Sequence, residues 1–79
     1  MQNMFLNCSE FNQPLNSWNT LKVTTMQNMF ENCSNLDQDI KNWEVSNTVI
    51  LTNMFFGATL MINNQGASST PTSSYFNQL

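Results

Sequence analysis

The sequence predicts a short β/α solenoid: an α/β repeat of about 25 residues with one short parallel strand and one short helix per copy. Three observations predict it. Residues 1–8, "MQNMFLNC", return as "MQNMFENC" at 26–33 and as "LTNMFFGA" at 51–58. Within each copy the apolar residues fall at i, i+3, i+4 and i+7. Stretches rich in Thr, Val and Ile, "LKVTT" and "SNTVI", close the first two copies.

The repeat sets up columns. Met1, Met26 and Leu51 share one; Met4, Met29 and Met54 a second; Phe5, Phe30 and Phe55 a third; Cys8, Cys33 and Ala58 a fourth. The spacing Met1, Met4, Phe5, Cys8 is one face of an α-helix. It predicts short helices over 1–6, 26–31 and 51–56. Asn7, Asn32 and Gly57 follow them, and Asn and Gly tolerate the left-handed conformation that closes a helix. Two helical turns are unstable alone in water, so each copy needs its neighbour as a wall. That need explains why so short a chain repeats itself.

The second half of each copy carries Phe11 or Leu36, Leu15 or Ile40, and then Trp18 or Trp43. The strands follow. On them Lys22, Thr24, Asn47 and Val49 are the candidate partner-facing positions. The repeat array is expected over 1–62, in rows 1–25, 26–50 and a partial 51–62. Residues 63–79, "NNQGASSTPTSSYFNQL", read as a degenerate or loosely ordered repeat or tail, with no Trp and with "YFNQL" echoing residues 11–13 out of register.

Composition narrows the function. Charged residues make up 9% of the chain, against about a quarter in ordinary domains. The net charge is −3, so no basic patch is available and no nucleic-acid partner is expected. No apolar run reaches the roughly 18 residues of a membrane span. The chain has no histidine, and its two basic side chains, Lys22 and Lys41, are well separated. A catalytic triad lacks its usual base, so no enzyme is expected and no catalytic residue is assigned. Nor is any cofactor. Cys8 and Cys33 read as small buried residues, with a disulfide as the alternative; two thiols without histidine do not fill a zinc site. Trp18 and Trp43 read as core or as a seal at the repeat edge, with an aromatic platform for a sugar as the alternative. Asp37 and Asp39 are expected to face water.

Two stretches, "WEVSNTVILTNMFFGAT" and "MFLNCSEFNQPLNSW", resemble the BspA-like leucine-rich-repeat surface proteins, also seen in mycoplasma-type lipoproteins. The resemblance runs from Met1 to about Thr59. It implies a cell-surface or secreted array acting in adhesion or other protein contacts; the residues by themselves give no localisation. The expected function is thus a non-catalytic module presenting a protein-interaction surface within a larger protein. Its partners would be another protein or repeats of the same chain. Alternatives are a carbohydrate-binding solenoid using Trp18 and Trp43, or a structural fragment without binding activity of its own. Because Met1 aligns with Met26 inside a repeat unit, duplicating residues 17–25 in front of Met1 is expected to raise the urea midpoint.

Overall fold

The computed structural model describes residues 1–78. Its unit is a pair of tight turns. In the first copy the N–H of Met4 donates to the carbonyl of Met1 and that of Cys8 to Phe5. The same bonds recur at Met29→Met26 and Cys33→Phe30, and at Met54→Leu51 and Ala58→Phe55. The third residue of each turn has positive φ: 59°, 58° and 54° at Asn3, Asn28 and Asn53, and 62°, 62° and 76° at Asn7, Asn32 and Gly57. A type II turn requires that conformation at that position, and Asn and Gly adopt it at least cost.

The predicted helices over 1–6, 26–31 and 51–56 are therefore corrected, and with them the α/β solenoid. Among the described residues the regular elements are one α-helix, Thr59–Gln65 (α1), one 3-10 turn, Ser73–Tyr75, and a single parallel bridge between Thr25 and Ile50. The physical reason is a degeneracy of pattern. Two successive four-residue turns direct their first and last residues inward, which is again i, i+3, i+4 and i+7. Met26, Met29, Phe30 and Cys33 are buried, while of the central pairs Gln27, Asn28 and Glu31 are half-buried and Asn32 is exposed. A positive φ at every fourth residue does not allow a helix to form. The expected strands shrink for a related reason. The N–H groups of Val23 and Val49 are used in local turns to Thr20 and Ser46, leaving only the bridge beside them.

Coils lying 25 residues apart are joined by backbone bonds. Asn3, Phe5 and Asn7 donate to the carbonyls of Gln27, Met29 and Glu31; Asn28, Phe30 and Asn32 donate to Thr52, Met54 and Phe56. Along the first two turn pairs, N–H groups thus alternate between the coil's own turn and the next coil. Side chains continue the stack. The rings of Phe5 and Phe30 lie 5.5 Å apart and those of Phe30 and Phe55 5.8 Å apart, all close to parallel. Trp18 and Trp43 stack at 6.3 Å. The Trp43 indole N–H donates to the Leu15 carbonyl of the coil before it, at 2.8 Å.

The third copy departs from the others after Ala58. Helix α1 takes over, buries Met61, and ends at Gly66 in the left-handed conformation (φ 73°), with Ala67 N–H reaching back to the Met61 carbonyl. The following segment, expected to be a degenerate repeat or a loosely ordered tail, lies against the second and third coils. Ser69 accepts the Phe55 N–H through its carbonyl, and the Thr70 hydroxyl oxygen accepts the Asn53 N–H. Phe76 is buried and stacks on Trp43 at 6.1 Å. Asn77 pairs with Val45 through its side-chain amide, accepting from the N–H and donating to the carbonyl. Phe76 is therefore the third member of the Trp column, displaced in sequence by α1. Leu79 lies outside the described residues.

Candidate interaction surface

Most predicted column residues are core. Met29, Phe30, Cys33, Trp43, Met54 and Phe55 are fully buried. Their first-coil counterparts are not: Met4 is 51% exposed, Cys8 is exposed, and Phe5 and Trp18 are half-buried. The core thus thins toward the N-terminal coil. The possible sugar platform is mostly closed, because Trp43 lies between Trp18 on one side and Phe76 on the other.

Both cysteines are free thiols. Cys33 donates to the Phe5 carbonyl at 2.9 Å, and burial pushes its pKa up to about 11. Thiolate is the reactive form. Ellman's reagent at neutral pH is accordingly expected to modify Cys8 at once and Cys33 only with the rate of unfolding; two equal fast phases would contradict the packing.

Among the predicted partner-facing residues, Lys22, Thr24 and Asn47 are exposed and Val49 is half-buried. They sit in two adjacent columns, Lys22 with Asn47 and Thr24 with Val49. Ile50 N–H donates to the Thr24 carbonyl, which holds the two coils in register there. Sequence reasoning missed a third outward column, Leu6, Glu31 and Phe56. Phe56 is 51% exposed and Leu6 is exposed two coils away in the same register, with half-buried Glu31 between. Ile50 and Leu21 add further exposed apolar surface. The sixth position of each copy carried the signal: it holds Leu, Glu and Phe, a mixture that no core column tolerates.

A polar cluster lies where α1 meets the second coil. Lys41 pairs with Asp39 at 3.3 Å and donates to the Gln65 side-chain oxygen at 3.4 Å. Gln65 and Asn64 donate through their amide nitrogens to the two oxygens of Asp37, at 2.9 and 3.1 Å. Those bonds, Gln65's first, hold the Asp37 carboxyl below its ordinary range; the Lys41 backbone N–H and ammonium do the same for Asp39. Asp37 was expected to face water only; it is instead half-buried and clamped to α1. A carboxyl with a lowered folded-state pKa contributes stability that is present above its unfolded pKa and is lost as pH falls through the folded one. The urea midpoint is expected to fall on acidification below the ordinary Asp range, and Asp37→Asn to flatten that dependence. An unchanged acid profile in the variant would show that the clamp contributes nothing.

Among the described residues no helix is long and apolar enough to cross a membrane, and no three His, Cys, Asp or Glu side chains gather as a metal site. A family model matches residues 1–78: DUF285, described as a Mycoplasma protein of unknown function. No curated protein and no solved structure matches the chain.

Proposed function

We propose that this chain, which belongs to the DUF285 family, is a non-catalytic repeat module presenting a protein-interaction surface, part of a larger cell-surface or secreted adhesion-type protein of the BspA-like kind. One observation carries the proposal. The repeat aligns exposed apolar side chains in an outward column, with Leu6 and Phe56 flanking Glu31, on a surface rich in neutral Asn, Gln, Ser and Thr. An exposed aromatic or aliphatic side chain set among polar ones is a common anchor of protein contact sites. Lys22, Thr24 and Asn47 add hydrogen-bonding groups at fixed intervals, as a repeat does when it presents an extended surface.

The test is a protein-array screen followed by binding measurements with Phe56→Ser and Glu31→Lys. Phe56 is exposed and Glu31 half-buried, neither in the core, so circular dichroism should stay unchanged while affinity for the captured partner falls about tenfold or more, as it does when interface anchors are lost. Full affinity in both variants would refute this surface. Sugar binding is disfavoured by the burial of Trp43 and is scored separately on a glycan array.

A further inference from the structure

We infer that the lateral column docks a second copy of this chain, which brings its Lys22 to Glu31. The inference rests on the interaction surface proposed above and names its occupant. Two places on the outside of the stack combine exposed apolar side chains with one charge, and the two charges are opposite in sign. At the first, Glu31 stands in register between Leu6, 36% exposed, and Phe56, 51% exposed. At the second, Leu21 and Lys22 are the central residues of the turn that the Val23 N–H closes on the Thr20 carbonyl. Ile50 lies on the next coil close by, with its N–H on the Thr24 carbonyl; it and Leu21 are each 49% exposed. Neither charge is satisfied within the chain. Among the described residues the one ion pair joins Lys41 to Asp39, and neither the Glu31 carboxylate nor the Lys22 ammonium takes part in a hydrogen bond.

The half-buried state of Glu31 sets what can cover it. A purely apolar partner would strand its carboxylate away from water without a counter-charge, which is costly. The occupant therefore brings a cation together with apolar contacts. Of the chain's two cationic side chains, Lys41 is already held by Asp39 and Gln65. Lys22 is exposed and carries Leu21 and Ile50 beside it, the same combination with the charge reversed. Glu10 and Glu44 are weaker candidates: both are exposed to water, and their neighbours in register are Asn35 and Asn19. Coils of one stack do not make this contact with each other. They share a register, so further coils at either end would lengthen both columns and leave them facing outward. Each copy carries both halves of the contact, which either repeats from molecule to molecule or closes as a symmetric pair.

Sedimentation velocity of the full chain, up to about 1 mM, is expected to show reversible self-association that weakens with added salt. Glu31→Lys and Lys22→Glu should each sediment as monomers. Their equimolar mixture should associate again, because each supplies the charge that the other lacks. Glu31→Gln keeps the shape of the side chain and should weaken association severalfold, which covers the case of a Glu31→Lys chain that does not fold. Glu44→Lys changes the net charge by as much as Glu31→Lys and should associate as the parent does. The inference is overturned by a parent chain that stays monomeric, by a mixture that does not associate, or by a Glu44→Lys chain as monomeric as Glu31→Lys. If the chain is monomeric throughout while capture of an array partner still depends on Phe56, another protein occupies the column; this inference then fails and the proposed surface stands. Indifference to Phe56→Ser in both assays would remove the surface as well.

Discussion

Phe30→Ala is expected to be the most damaging alanine substitution in the chain, lowering the unfolding free energy by about 3–5 kcal/mol. Phe30 is fully buried, with Phe5 stacked on one side and Phe55 on the other, and with the Trp43 ring 6.5 Å away. Alanine leaves a void in the middle of the ring column, and the backbone around it cannot collapse because its N–H is bonded to the Met54 carbonyl. A domain this small has only about 5–15 kcal/mol in total, so the variant should be largely unfolded near body temperature. Phe5→Ala, at a half-buried position, should cost clearly less. Urea midpoints of the two variants decide the matter, and equal losses would mean that the column is not one continuous core.

The second large effect is expected at Gly57. Its φ of 76° is strained for any residue with a Cβ, and a Cβ there would collide with the Asn32 side-chain oxygen and lie 3.3 Å from the Asn32 Cα. Gly66 has a similar φ of 73° but open space around the same point. The pair separates two causes. Gly66→Ala should cost about 1–2 kcal/mol, the conformational term alone. Gly57→Ala should cost more, because the neighbouring coil must also move. Adding Asn32→Ala removes the colliding oxygen, together with the 2.9 Å bond from the Asn32 amide to Asn7. The combined cost should then fall short of the sum of the separate ones. Strict additivity would mean that the coils have enough play to absorb the methyl group.

How much of this was legible beforehand varies by feature, and for physical reasons. The period and the columns were legible because stacking at a fixed interval demands the same side chain at the same place; Phe5, Phe30 and Phe55 do stack as rings. Positive φ at Asn7, Asn32 and Gly57 was legible too, since few residue types accept it. The element type was not. Periodicity reports which residues face inward, and tandem turns share that answer with a helix. The discriminating residues were Asn3, Asn28 and Asn53, which fall inside the supposed helices and there also take positive φ. Phe76 escaped because α1 shifts the register, so that it follows Trp43 by more than one repeat. Of the candidate surface, Lys22, Thr24 and Asn47 are exposed and Val49 is half-buried, while the Leu6–Glu31–Phe56 column needed the coils to be set side by side.

The alternation of backbone donors has a consequence for how the chain opens. Met29, Glu31 and Cys33 are held by their own turn, whereas Asn28, Phe30 and Asn32 are held by the third coil. Peeling one coil from the next would release every second amide at once and leave its neighbours bonded. Native-state hydrogen exchange should therefore be striped rather than graded: odd and even amides in one segment should fall into two classes of protection with different denaturant dependence. Because each cross-coil bond spans the same stretch of chain, closing that loop costs entropy once per coil, and every later bond in the coil forms without a further closure. Folding would thus advance in steps of one coil, starting where helix α1 and residues 69–70 already hold the third coil, and the first coil would be the last to settle.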